Sequence, residues 1–199
     1  KAHKIIAISE NTKRDIIDIL DIDPKKIEVI YLANSLQNYN SSENIITQLP
    51  EKYFLYIGDR KTYKNFQLLV SAIAPLIQEE DIYLVCGGGK PFDKYECKLI
   101  RQCRCENRVL HYYGSDEILS FLYRHAIAFV FPSLYEGFGI PVLEAFSCNC
   151  PLLSSNTSSL PEVAGDAALY FDPFDVDSLR KALYDILNNP GLRNRLAAM

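Results

Sequence analysis

The run Ile127-Ala128-Phe129-Val130-Phe131, the loop Pro132-Ser133-Leu134-Tyr135-Glu136-Gly137-Phe138-Gly139 and the continuation Ile140-Pro141-Val142-Leu143-Glu144-Ala145 decide how this chain folds. The first run is apolar and too short for a buried helix, so it reads as a strand covered on both faces. Pro132 and the two glycines break it. A helix is predicted to start near Pro141, because proline fits a first helical turn. Strand, glycine-bearing loop and helix, in that order, are the working part of a parallel β–α unit.

The same alternation extends in both directions. Upstream, Tyr53 to Ile57 predicts a strand, and residues 65–79 carry helical spacing at Phe66, Leu69, Val70 and Ile73. Ile82 to Cys86 predicts a strand that runs into Gly87-Gly88-Gly89. Next come a helix over 91–104, a strand over 108–112 and a short helix over 116–124. Downstream, Pro151 to Ser154 and Ala168 to Phe171 read as strands, 175–188 as a helix and 191–199 as the start of another. Nearer the amino terminus, Lys4 to Ile8 predicts a strand. Ser9 caps a helix over 10–20 with Ile16, Ile17, Ile19 and Leu20 on its apolar face. Asp23-Pro24 breaks that helix, and Ile27 to Leu32 reads as a strand. Residues 34–50 are rich in Asn and Ser without a clear period, and read as a linker or surface excursion.

Strand–helix alternation with short loops implies an α/β fold, a Rossmann-like parallel sheet with helices on both faces. Ligands in such folds bind beyond the carboxyl ends of the strands. The loops at 58–64, 87–90, 112–115, 132–140 and 155–160 are therefore expected to line one rim.

Bulk properties narrow the function. The chain has 199 residues, is 48% hydrophobic and carries a net charge of -4. That balance argues against nucleic acid as a partner. No apolar run approaches the ~20 residues of a membrane span. Lys1-Ala2-His3-Lys4-Ile5-Ile6 lacks both an initiator Met and the look of a signal peptide, and reads as a boundary inside a longer protein. Cys103 and Cys105, like Cys148 and Cys150, are spaced C-x-C and not as a zinc knuckle. Together with Cys86 and Cys97 they read as reduced thiols of a cytoplasmic protein.

The 132–145 stretch also carries chemistry. Gly137 and Gly139 allow close approach of backbone to ligand. The turn Gly137-Phe138-Gly139-Ile140 presents the N–H groups of a helix start to an anion. Glu144, one turn in, can accept two hydrogen bonds from a vicinal diol such as a ribose. Glu136, eight positions earlier on the loop, can reach a sugar beside the phosphate. Spacing alone leaves an ordinary strand–loop–helix turn with two acidic residues equally open. A second stretch, Tyr56-Ile57-Gly58-Asp59-Arg60-Lys61-Thr62-Tyr63-Lys64-Asn65-Phe66, places cations on the loop after another strand, where they can stabilise a departing diphosphate. Cys86-Gly87-Gly88-Gly89-Lys90 lacks the spacing of a nucleotide phosphate loop. His111 and His125 read as strand-end and surface residues.

Resemblance sharpens this. The Glu136/Glu144 run resembles the E-x7-E signature of the family-4 retaining glycosyltransferases (group 1). So do Phe146 to Asn156 and Ser159-Leu160-Pro161-Glu162-Val163-Ala164-Gly165-Asp166-Ala167-Ala168. Tyr56 to Phe66 resembles the family's strand–Gly–basic loop–Lys-Asn stretch, which implies that Lys64 meets the donor pyrophosphate and that Arg60, beside Lys61, is the second cation. His111-Tyr112-Tyr113-Gly114-Ser115-Asp116 resembles the loop whose backbone reads the nucleobase, which implies a donor contact at Tyr112 or Tyr113. Lys4 to Leu32 is similar to the segment where the chain leaves the amino-terminal domain. The resemblance implies a GT-B fold, with 1–33 as crossover segment and 34–199 as the nucleotide-sugar-binding domain, its final helix cut short. The acceptor-binding amino-terminal domain would be absent.

The resemblance also implies a function. A hexose, mannose being one candidate, would pass from a nucleotide-diphosphate sugar to a hydroxyl acceptor in cell-surface polysaccharide or lipopolysaccharide synthesis. Glu136 would be catalytic; Gly58, Arg60, Lys64, Tyr112, Gly137, Phe138, Gly139, Ile140 and Glu144 would hold the donor. No cofactor and no metal are implied. The full enzyme would work in the cytoplasm, with peripheral association at the inner face of the membrane, and the isolated domain would be inactive. A sugar-nucleotide epimerase of related architecture and a non-catalytic nucleotide-sugar-binding partner are the alternatives. Asn149 stands where the family often has Gly, which puts local packing there in question.

Overall fold

The computed structural model describes residues 3–36 and 49–199. Most of the expected 34–50 excursion lies outside the described residues. The chain opens with β1 (Ile5–Ala7), α1 (Glu10–Leu20) and β2 (Ile27–Val29). Then come β3 (Tyr53–Ile57), α2 (Phe66–Glu79), β4 (Tyr83–Gly87), α3 (Lys94–Gln102), β5 (Val109–Tyr112), α4 (Asp116–His125) and β6 (Ala128–Phe131). The last part holds α5 (Ile140–Ser147), β7 (Leu152–Ser155), α6 (Leu160–Ala164), β8 (Ala168–Phe171), α7 (Val176–Asn188) and α8 (Pro190–Ala197).

β1 and β2 form a two-stranded parallel sheet of their own. The other strands form one parallel sheet in the order β5-β4-β3-β6-β7-β8. Counted from β3, that is the doubly wound 3-2-1-4-5-6 order, which reverses direction between its first and fourth strands. The reversal falls between β3 and β6, paired at Phe54↔Ala128 and Leu55↔Phe129. Two crossovers diverge there, so the loops after β3 and β6 are left facing each other.

The strands read as apolar runs because both faces are covered. Phe54, Tyr56, Leu84, Cys86 and Val130 pack under α2, α3 and α7. Tyr53, Leu55, Ile57, Val85, Phe129 and Phe131 pack under α4, α5 and α6. Alternate residues of one strand thus enter opposite cores, as the period of two requires. The α/β fold with helices on both faces is as expected from sequence.

Local departures have local causes. α3 starts at Lys94 because Asp93 and Glu96 form a reciprocal capping box, which sets the start after Pro91. β2 ends at Val29, short of the expected Leu32, and its register with β1 covers only Ile27 to Val29. In α1, Ile19 and Leu20 are exposed, so only part of the expected apolar face packs. α6, unexpected as a helix, starts at Leu160 with Pro161 in its first turn. Asn149 adopts a left-handed conformation at φ 51°, which explains how it replaces a glycine: asparagine is among the few residues that tolerate it. All six cysteines are free. Burial raises the thiols of Cys86 and Cys150 far above the usual range, and that of Cys105 to about 11. They serve as small core hydrophobes.

Candidate functional site

The crevice at the sheet's reversal point is built from the loops after β3 and β6. Gly58 leaves β3 at φ 114°, a conformation that side chains rarely adopt, with open space where a Cβ would point. A single helical turn, Thr62–Lys64, is closed by Asn65 at φ 55°. The Asn65 amide donates to the Pro173 carbonyl at 2.8 Å and so fixes the turn. Lys64 is thereby aimed across the crevice. Its Nζ lies 2.6 Å from Glu136 Oε1, and the two side chains are only 16% and 13% exposed. The ammonium also sits 5.3 Å from the ring centres of Tyr63 and Phe131. An ammonium has three donors, so Lys64 can hold Glu136 and an anion together.

The loop carrying Glu136 is fastened from several sides. Its N–H donates to Ser158 Oγ at 3.0 Å. The Ser159 hydroxyl lies 2.8 Å from the Glu136 carbonyl and 3.0 Å from that of Phe138. The Leu134 N–H donates to the Tyr63 carbonyl at 2.8 Å, tying the two rim loops together. From the small sheet's side, Ser9 and Thr12 hydroxyls donate to the Gly137 carbonyl at 2.7 and 2.9 Å. Glu162 of α6 accepts from the N–H groups of Glu10 and Asn11 at 2.7 and 3.1 Å, which docks α1 beside this loop. An acid at a helix start is favoured by the dipole.

Gly139 is the N-cap of α5 at φ 100°, and a Cβ there would stand 2.8 Å from Leu160 Cδ2. Gly137 carries no such demand: its Cβ would meet Ile8 and Thr12 at ordinary distances of 3.5 and 3.6 Å. Phe138 is buried and Ile140 exposed. In α5, Pro141 has no N–H, and the Val142 N–H donates to the Gly139 carbonyl at 2.9 Å. Neither Pro141 nor Val142 therefore offers a free N–H at the start of α5.

Glu144 lies one turn into α5 and accepts at Oε2 from the Tyr123 hydroxyl at 2.9 Å. Burial raises its carboxyl above the ordinary glutamate range, a shift the Tyr123 hydrogen bond opposes. Tyr112 is half-buried at the end of β5, and burial raises its phenol. Its carbonyl accepts from the Gly88 N–H at 3.0 Å, which brings the β4 and β5 loops together.

Residues 40–198 match the family model described as glycosyl transferases group 1. The chain belongs to that family. It is 33% identical to O-antigen chain mannosyltransferase B of Escherichia coli, over 96% of this chain and 53% of that protein. It is 31% identical to O-antigen chain mannosyltransferase RfbU of Salmonella typhimurium, with the same coverage of 96% and 53%. The chain thus spans about half the length of the curated relatives it matches. Among solved structures, Anabaena Alr3699/HepE in complex with UDP and glucose superposes with a TM-score of 0.85 at 19% identity, covering 98% of this chain and 56% of that one. A Rickettsia africae glycosyltransferase gives 0.84 at 18% identity, covering 98% and 56%. These two likenesses concern the fold.

Within this group 1 glycosyltransferase chain, the structure brings Lys64, Glu136 and the Gly137–Ile140 turn together, with Glu144 one helical turn beyond. Arg60 is placed differently. Its guanidinium, 3% exposed, pairs with Glu96 at 2.8 Å and lies 4.9 Å from the Phe92 ring centre. It also donates to the Lys90 carbonyl. A planar guanidinium suits such a stacked, forked arrangement, so Arg60 ties α3 to the glycine-rich turn after β4. Lys61 is exposed beside Asp59 at 3.6 Å. His111 Nε2 lies 2.8 Å from the Gly88 carbonyl, and His125 Nδ1 lies 2.8 Å from that of Phe121. Both have the structural roles expected. Sequence reasoning missed Tyr123, Ser158 and Ser159. The two serines were visible as a hydroxyl-rich run after β7, but their partners lie far away in the chain. Tyr123 carried only the signal of an aromatic on a helix.

Proposed function

We propose that this chain is the donor-binding part of a retaining glycosyltransferase that moves a hexose from a nucleotide-diphosphate sugar to a hydroxyl. The observation that carries the reading is the 2.6 Å contact between Lys64 and Glu136 across the sheet's reversal point. It sets a cation and a carboxylate side by side where a parallel sheet binds ligands. Lys64 and the N–H groups ahead of Pro141 would take the diphosphate and stabilise the charge it gains on leaving. Glu136 would face the sugar and oppose the positive charge that develops at its anomeric carbon. Glu144 would hold the ribose and the Tyr112 loop the base. The relatives named as O-antigen mannosyltransferases favour mannose as the sugar and cell-surface polysaccharide or lipopolysaccharide synthesis as the setting.

The acceptor site, the crossover role of residues 1–33 and a workplace on the cytoplasmic side of the membrane belong to the same proposal. So does independence from metal, since cation and helix dipole would do a metal's work. No helix among the described residues is long and apolar enough to cross a membrane. Calorimetry with GDP-mannose, UDP-glucose, ADP-glucose and dTDP-glucose, each with and without EDTA, tests the reading. One donor should bind with an affinity that the chelator leaves unchanged. Binding of none, or binding only with Mg²⁺ or Mn²⁺, contradicts it.

A further inference from the structure

Glu144 is a carboxylate that burial works against, and one side chain compensates it. Tyr123 lies in the last turns of α4, is fully buried, and packs edge-on against Phe129 with ring centres 5.2 Å apart. Its hydroxyl reaches Glu144 Oε2 at 2.9 Å. The other oxygen, Oε1, accepts no hydrogen bond among the described residues. Burial holds the phenol far above its usual range, so it stays protonated and can only donate towards a carboxylate.

We infer that Tyr123 is a positioning residue for nucleotide recognition: it pins one oxygen of Glu144 and leaves the other to the 2′,3′-diol of the donor's ribose. The inference rests on the proposed ribose contact of Glu144. Its physical logic is that of a charge-assisted hydrogen bond in a poorly solvated place. A carboxylate that accepts a hydrogen bond there loses less on burial, and its rotamer is fixed before the ligand arrives. Two groups act on Glu144, both on α4: Tyr123 through its hydrogen bond, and Asp116, which acts the opposite way by like-charge repulsion. Cys148 and Cys150 are neighbours of the phenol.

The geometry also sets the sign of a pH effect. Only ionised Glu144 accepts both diol protons, so affinity for a ribonucleotide should fall as pH drops through the raised Glu144 range. Removing the Tyr123 hydroxyl raises that range further and moves the acid limb to higher pH.

The test titrates the chain with UDP and GDP and with their 2′,3′-dideoxy counterparts across that pH range. Wild type should prefer the ribose form and show the acid limb. Tyr123→Phe should bind the ribose form about three- to thirtyfold more weakly, shift the limb upward and leave dideoxy binding unchanged. A purely structural role would weaken both ligands alike and leave the limb in place. Glu144→Gln should abolish both the preference and the limb. If Glu144→Gln does so while Tyr123→Phe matches wild type, the role of Tyr123 is overturned and the ribose contact stands. If Glu144→Gln keeps the preference, the ribose contact itself is wrong and the inference falls with it. Should Tyr123→Phe fail to fold, 3-fluorotyrosine at position 123, a stronger donor of nearly the same size, should move the limb to lower pH. No movement overturns the proposal.

Discussion

Lys64 and Glu136 were legible in the sequence as a cation and an acid on two rim loops, but not as partners. Seventy-two positions separate them, and only the pairing of β3 with β6 brings the loops together. Arg60 shows the converse. Its place in a basic loop suggested a second phosphate cation; the structure adds Glu96 and Phe92 as neighbours, which a local motif cannot register. The consequence at this scale concerns Lys64→Ala. A hydrogen bond to a charged group contributes roughly 1.5–3 kcal/mol, so nucleoside diphosphate affinity should fall about ten- to a hundredfold, with free nucleoside barely affected. Calorimetry on both ligands checks this; equal losses would mean that Lys64 only supports the fold. Glu136→Gln should leave diphosphate binding close to wild type and lower sugar transfer by the complete enzyme.

At the scale of elements, strands and helices were readable because each apolar run has two covered faces and each helix carries its own period. α6 was not, since five residues are too few to show one. What the local pattern concealed most was which glycine matters. Gly137 and Gly139 look alike in sequence, but only Gly139 has a left-handed backbone and a crowded Cβ position. Gly139→Ala should therefore cost about 1–3 kcal/mol, a drop of several degrees in melting temperature. Gly137→Ala should melt within about 0.5 kcal/mol of wild type. Thermal unfolding of the two variants decides; a stable Gly139→Ala would show that the turn before α5 does not need its observed conformation. Ser159 belongs to the same element-level design. Its hydroxyl serves both the Glu136 and Phe138 carbonyls, so α6 acts as the clamp that holds the loop.

In the whole molecule, strand order turns these parts into a site. Alternating strands and helices specify a parallel sheet but not the order of its strands, and without the order the facing pair of loops cannot be named. Once β3 and β6 are neighbours, the rim narrows to Gly58–Asn65 and Pro132–Ile140, with Tyr112 and the β4 turn to one side. The small β1–β2 sheet adds a second support: α1 meets the Glu136 loop through Ser9, Thr12 and the Glu162 contact. In the function proposed, a sugar nucleotide lies across this crevice, diphosphate at Lys64 and ribose at Glu144. A crystal structure of the chain with GDP-mannose or UDP-glucose, whichever binds, puts that placement to the test. The diphosphate should lie between Lys64 and the N–H groups ahead of Pro141, with Glu144 on the ribose and Glu136 facing the hexose. A nucleotide bound elsewhere, or one whose phosphates lie away from Lys64 with Glu144 contacting only protein, would contradict it.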